Sequence, residues 1–301
     1  MIRSILAVFL ACGMGGLSAT EPTLESRIKL IAEAHQGKVA VAVKNLESGE
    51  SYIRNGDEVM QTASLIKLAI MTATYARADE KALDLNTLIT LTKDDKVQGA
   101  GILTDHFSDG AKLCTRDLVR LMIRYSDNTA TNMVLDQVGI KTVNEWTNAH
   151  GLPETRINAK VFKGSTTSVD PARTKKYSLG STTANETVKL LEMISSGKAV
   201  SPESTKAILD HLKANADKDQ LLRLLPAGAV VAHKTGATNQ VRTDAGIMYV
   251  PRKNDKKKTR PIAICVLTNE NQDQRWVLDN AGQVTIGKIG KEVWDYFANQ
   301  E

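Results

Sequence analysis

Three short motifs hold the side chains with which this chain can do chemistry: Ser64-Leu65-Ile66-Lys67, Ser126-Asp127-Asn128 and Lys234-Thr235-Gly236. The first opens a stretch, Ser64 to about Ala78, that lacks Gly and Pro and is apolar or helix-forming almost throughout. Such a stretch predicts a helix buried on most sides. A spacing of three residues puts the Ser64 hydroxyl and the Lys67 amine on one face of it. A serine in the first turn sits among free backbone N–H groups at the positive end of the dipole, which favours negative charge developing there. An amine held away from water has a lowered pKa and serves as a base. The chemistry expected is that of an activated serine nucleophile.

Ser-x-x-Lys alone is a weak signal. A second copy, Ser195-Ser196-Gly197-Lys198, matches equally well on a Gly that reads as a helix end. The other two triplets are much rarer by chance. Ser126-Asp127-Asn128 falls between two predicted helices, and Lys234-Thr235-Gly236 follows a predicted strand, where Gly236 would let a ligand's backbone lie close to the edge. Separately they read as a helix-breaking turn and an ordinary edge strand. Neither reading explains all three motifs in this order.

The elements that must position them follow from periodicity. Leu24–His35 reads as an amphipathic helix, and Val39–Val43 and Tyr52–Ile53 as strands around a turn at 47–50. After Asp57 the pattern is helical for about 150 residues: Thr115–Arg124 with Thr115 as N-cap, Thr129–Val138, Thr142–His150, Thr182–Ser195 opened by a capping-box-like Thr183-Ala184-Asn185-Glu186, and Pro202–Ala214. Strands return at Val230–His233, Ala245–Val250 and Ile262–Thr268, the last two separated by a charged hairpin tip, and Gly290–Phe297 closes the chain as a helix. The fold class expected is α/β of the α+β kind. An antiparallel sheet flanked by helices, built from both chain ends (20–56 and 216–301), packs against an all-helical lobe (57–215), with Ser64 at their junction.

Composition bounds the function. The 301 residues are 42% hydrophobic and 4% aromatic, which suits one large domain or two lobes sharing a core. The net charge of +5 is modest, interleaved with 34 acidic residues and without an aromatic-plus-basic stripe, so no nucleic-acid partner is expected. Arg3, the apolar run Ile5–Ala11 and the small residues to Ala19 read as a signal peptide over 1–19, too short to span a bilayer as a transmembrane anchor. A periplasmic or secreted, monomeric protein is expected. Phe9-Leu10-Ala11-Cys12 faintly matches a lipoprotein cleavage box, which leaves lipidation at Cys12 as the alternative. Beyond it only Cys114 and Cys265 remain, and Cys265, in an apolar strand, reads as a free core thiol. Five scattered histidines give no metal-ligand spacing, and neither a metal nor a cofactor is expected.

Together the three motifs resemble those of class A β-lactamases and the related penicillin-binding proteins, the penicillin-recognising serine hydrolases. The likeness extends to Gly99-Ala100-Gly101-Ile102-Leu103 and Arg242-Thr243-Asp244 and covers nearly the whole chain after residue 19. It implies a β-lactamase/transpeptidase-like fold. It also implies a catalytic set of Ser64, which forms an acyl-enzyme, Lys67, which takes or relays its proton, and Ser126, which protonates the departing amine. Substrate-binding roles fall to Asn128 for the side-chain amide, to Lys234, Thr235 and Arg242 for the carboxylate, to Gly236, and to Ala237, whose N–H joins that of Ser64 in an oxyanion hole. Asp127 reads as a structural turn residue.

One departure stands against full likeness. Class A β-lactamases carry a Glu-x-x-Leu-Asn segment in a loop after Ser-Asp-Asn, and its Glu activates the deacylating water. Here residues 156–170 contain no Glu; Asp170 is the only carboxylate and lies too far along, while Glu154 reads as a turn cap. The acylation machinery looks complete and the deacylation base is missing. The resemblance therefore implies β-lactam hydrolysis, with a D-Ala-D-Ala carboxypeptidase acting on peptidoglycan stem peptides as the close alternative, and a non-catalytic β-lactam sensor as the minor one.

Overall fold

The computed structural model describes residues 23–300. The predicted signal peptide and Cys12 lie outside the described residues. Five strands, β1 (Lys38–Asn45), β2 (Ser51–Arg54), β3 (Val231–Ala237), β4 (Arg242–Pro251) and β5 (Thr259–Asn269), form an antiparallel sheet in the order β2-β1-β5-β4-β3. The N-terminal hairpin thus joins the C-terminal strands edge to edge, with Val41 opposite Val266.

Strand β5 is apolar without alternation because both faces are covered. Ile262, Ile264 and Val266 face one core, shared with Leu24, Ile28, Ile289 and Phe297 of helices α1 (Leu24–Glu33) and α8 (Ala281–Asn299). Ala263, Cys265 and Leu267 face the other core, under the helical lobe. That lobe holds α2 (Lys67–Asp79), α3 (Thr115–Arg124), α4 (Asn128–Val138), α5 (Ile140–Ala149), α6 (Ala184–Ser195) and α7 (Pro202–Lys213). Helix α2 is buried from Lys67 to Ala76 and packs against α3, α4, α5 and α7. Cys114 and Cys265 are both free thiols.

The α+β class is as expected, but the lobe is not all-helical. Short strands Met60–Gln61, Gly180–Thr182 and Arg156–Ile157 form one small sheet and Leu88–Thr90 with Lys112–Cys114 another, pairings too short and too distant in sequence to show in the periodicity. Several other details differ. The N-cap of α3 is Cys114, and Thr115 is the first helical residue, its hydroxyl buried without a hydrogen-bond partner. The capping box of α6 is half-formed. The Thr183 hydroxyl accepts from the Glu186 N–H, but the Glu186 carboxylate accepts from the N–H groups of Glu154 and Thr155 instead of returning to Thr183. Glu154 does not cap a turn: its carboxylate pairs with Arg173 at 2.9 Å. Helix α8 begins nine residues before the predicted Gly290, at Ala281, because Asn280 caps it through the N–H groups of Gly282 and Gln283. Its glycines lower the local propensity, and tertiary burial overrides that.

Candidate active site

Ser64 lies in a 3-10 turn, Ala63–Ile66, that runs straight into Lys67, the first residue of α2. Residues three apart eclipse one another in such a turn, so the predicted alignment of Ser64 with Lys67 survives the change of helix type. Ala63 enters the turn with a φ of +46°, a left-handed conformation that is uncommon outside glycine.

The Ser126-Asp127-Asn128 triplet joins α3 to α4. Ser126 is itself left-handed, with a φ of +55°. Asp127 holds the junction: one carboxylate oxygen caps α4 through the Ala130 N–H at 2.8 Å, and the other accepts from the N–H groups of Ile102 and Leu103 at 2.7 and 2.8 Å. Gly101 makes this approach possible, since a Cβ there would stand 2.4 Å from the Asp127 carboxyl carbon. The Asn128 N–H donates to the Ala100 carbonyl and its side-chain amide to that of Gln98. The segment 99–103 is therefore the outer brace of the triplet.

Two lysines converge on Ser126. Lys67 Nζ donates to the Ser126 carbonyl at 2.6 Å, to the Ser126 hydroxyl at 3.2 Å and to Asn128 Oδ1 at 2.9 Å. Lys234 Nζ donates to the same hydroxyl at 3.1 Å and to the Thr235 carbonyl at 2.6 Å. Both ammonium groups belong to completely buried side chains. Burial first, and then the charge of Lys234, lowers the Lys67 pKa well below its ordinary value, only partly opposed by Asp127. Burial also lowers Lys234, to about 8, against the raising influence of Asp217 and Asp244. A hydroxyl between two amines that release protons easily can pass a proton in either direction.

The Lys234-Thr235-Gly236 triplet is not beyond a strand, as the sequence pattern predicts, but within β3, which runs on to Ala237. Gly236 is correspondingly not an open ligand contact. It is buried against the Ser64 turn, where a Cβ would stand 2.5 Å from the Thr62 carbonyl oxygen and 2.8 Å from the Leu65 nitrogen. Its lack of a side chain lets the Ser64 turn sit close against β3. Ala237 has the opposite role in the ladder. Hydrogen-bonded and non-hydrogen-bonded pairs alternate in an antiparallel ladder. Thr238 N–H donates to the Val241 carbonyl, so the next pair, Ala237 with Arg242, points its peptide groups away from β4. The same parity leaves the Thr235 and His233 carbonyls outward, where the Lys234 amine and the Asn215 amide bind them. The Ala237 N–H therefore points out from the free edge of β3, the strand against which the Ser64 turn packs.

Thr235 and Asn128 are buried, with 5% and 6% exposure. Arg242 is buried as well. Its guanidinium donates to the carbonyls of Thr238, Val241 and Arg275, and it lies 4.8 Å from the ring centre of Trp276. Three supporting residues had no role assigned from the sequence; Thr243 stood only within the Arg242-Thr243-Asp244 likeness, and Asn269 and Asn132 carried no signal. The Thr243 hydroxyl donates to the Thr62 carbonyl at 2.9 Å, the Asn269 amide brackets the Gln61 peptide, and Asn132 brackets the peptide of Val161. Two of these pairs lie 181 and 208 residues apart, beyond any local pattern.

The loop from Arg156 to Asp170 flanks Asn128. Val161 N–H donates to Asn132 Oδ1 at 2.8 Å, and Asn132 Nδ2 donates back to the Val161 carbonyl at 3.0 Å. Lys160 pairs with Asp136 and Lys163 with the Asp94 carbonyl. Asp170 caps the helix Pro171–Tyr177 through the Arg173 N–H at 2.9 Å, a structural duty. Among the described residues no cluster of His, Cys, Asp and Glu could hold a metal ion.

Comparison with known proteins gives the family and the fold. A β-lactamase of Proteus vulgaris is 25% identical over 269 residues, covering 86% of this chain and 92% of its own. The crystal structure of a β-lactamase from Sphaerobacter thermophilus superposes with a TM-score of 0.78 at 27% identity, covering 92% of this chain and 99% of that one. PBP-A superposes with a TM-score of 0.77 at 27% identity over 92% of this chain and 96% of its own, and a PBP-A variant has been solved as an acyl-enzyme complex with penicillin G. The model of the β-lactamase enzyme family matches residues 23–297, and the chain belongs to that family.

Proposed function

We propose that this protein is a serine hydrolase that opens β-lactam rings through an acyl-enzyme on Ser64. The observation that carries the reading is the Ser126 hydroxyl held between Lys67 and Lys234, both buried and both with lowered pKa. Neutral Lys67 takes the Ser64 proton as Oγ attacks the lactam carbonyl carbon. The oxyanion forms against the N–H groups of Ser64 and Ala237. Collapse breaks the C–N bond, Ser126 gives its proton to the departing nitrogen, and the lysine pair restores it. Asn128 holds the side-chain amide. Lys234 and Thr235 hold the carboxylate, while Arg242, turned onto backbone carbonyls, supplies its positive field beside them.

Water then hydrolyses the ester. With no carboxylate between Arg156 and Val169, the Lys67 amine is the base for that step, and it is slower than acylation. The same absence, with the likeness to PBP-A, favours one second reading: a D-Ala-D-Ala carboxypeptidase for which β-lactams are slow substrates. The site is expected to work outside the cytoplasm, in a monomer cleaved near Ala19. Intact mass of the exported chain and its elution volume check these two points.

Mixing the enzyme with a chromogenic cephalosporin tests the mechanism. A burst equal to the enzyme concentration, followed by slower linear turnover, is expected, and Ser64→Ala should abolish both burst and covalent labelling. Labelling that survives the substitution removes the central claim. Release of D-Ala from a stem peptide at a rate above β-lactam turnover would transfer the main activity to the second reading.

A further inference from the structure

Among the described non-glycine residues with positive φ, Phe162 is the only aromatic, and its φ stands at +56°. It is also 62% exposed. A bulky side chain is strained in the left-handed region, and an exposed phenyl ring gains little from burial. Neither the fold nor the solvent rewards this residue. Its surroundings suggest what does.

The peptide just before it is clamped, since both backbone groups of Val161 are held by Asn132, one turn along α4 from Asn128. On the other side, a Cβ built on Gly99 would stand 2.9 Å from Asn128 Nδ2 and 3.1 Å from Phe162 Cε2. Gly99, with a φ of +89°, is thus the seam between the Phe162 ring and the Asn128 amide. The other strained non-glycine residues near the site, Ala63 and Ser126, adjoin or belong to the catalytic motifs. Strain of this kind gathers at sites where a side chain must be held toward a ligand.

We infer that Phe162 is a specificity residue: its ring forms one wall of the place where the acyl side chain of the substrate lies, and it favours side chains ending in an aromatic or other flat apolar group. This rests on Ser64 being acylated and on Asn128 receiving the side-chain amide. The loop that lacks a deacylating carboxylate acts here as a recognition surface.

The test compares benzylpenicillin with 6-acetamidopenicillanic acid, which keeps the amide and loses the phenyl ring. Acylation of Ser64 is followed by intact-protein mass spectrometry. The wild type should react about tenfold faster with benzylpenicillin, the value of one aromatic stacking contact. Phe162→Asn, which tolerates a left-handed backbone, should bring the ratio close to one, leave the acetamido rate within about threefold, and hold or raise the melting temperature. Phe162→Tyr should keep the ratio. The inference is overturned if the ratio survives Phe162→Asn, or if Phe162→Asn and Phe162→Gly both lower the melting temperature, since the ring would then be holding the loop. If neither compound acylates the wild type, the acyl-enzyme reading itself has failed and this one falls with it.

Discussion

Around Ser126, two buried amines, a helix cap and a brace at residues 99–103 fix one hydroxyl from several directions. Around Val161, one asparagine fixes a peptide, and the next side chain stands out in solvent. The first region is made of elements that the core needs for other reasons: α2 and α4 are buried along most of their length, and β3 closes the sheet. The second is a loop with its own local anchors. A site assembled this way can lose or exchange its deacylating group without disturbing the acylating one. The contrast predicts that substitutions in the first region stop acylation, while those in the second alter deacylation or the choice of substrate.

The largest effect belongs to Lys67→Met. It should lower the rate of Ser64 acylation by about 10²–10⁴-fold, the usual worth of a positioned base. Stopped-flow labelling with a fluorescent penicillin measures it. A loss of less than tenfold would move the base to Lys234 and break the contrast at its strongest point. Gly236→Ala comes next. The new methyl group meets backbone atoms of Thr62 and Leu65, so the Ser64 turn must move away from β3. Losing one oxyanion donor by this route should reduce acylation by roughly 10²-fold. Retained activity would mean that β3 gives way in place of the turn.

A pH profile separates the two lysines. Lys234 titrates near 8 in the folded protein against 10.5 for an ordinary lysine, because burial disfavours its charge. If its charge is what holds the substrate carboxylate, kcat/KM for acylation should fall about tenfold per unit as pH rises above 8. Thermal stability should move the other way. The unfolded chain binds the proton more tightly, so below pH 8 folding carries the cost of a buried charge, and stability rises between about 8 and 10.5. Lys234→Arg should push the falling limb to higher pH, since a guanidinium stays charged. Parallel slopes for activity and stability would show that the alkaline loss is only unfolding.

The side chains proposed for acylation were legible because short spacings bring them out: Ser64 with Lys67, and Ser126 with Asn128. Helix α2 was legible because burial on most sides leaves an uninterrupted apolar run. The roles of Gly236 and Ala237 depend on the parity of an antiparallel ladder and on a turn more than 170 positions away in the chain, as does the contact of Thr243 with Thr62. Composition and periodicity carry neither. The predicted cap at Thr115 failed because a threonine reads alike at the cap and one position after it. Phe162 left no trace, since a single phenylalanine in a polar loop looks like any other until its backbone angle and its exposure are known.

Asn132→Ala gives the smallest expected effect on acylation and the sharpest test of the contrast. The side chain is buried, with 2% exposure, and spends its amide on the Val161 peptide alone among the described residues. Removing it leaves a buried N–H and a buried carbonyl unpaired, which should cost about 1–3 kcal/mol of stability. Helix α4 keeps its cap at Asp127, and Lys67 keeps its contacts with Ser126 and Asn128. Acylation by a substrate with a small side chain should therefore change by less than about threefold, because nothing that touches Ser126 has moved. The preference for aromatic side chains should fall with the loosened loop, and the slow phase after the burst should change rate. Equal losses in both phases would mean that the loop and the acylating half are one cooperative unit, and the separation between them would not hold.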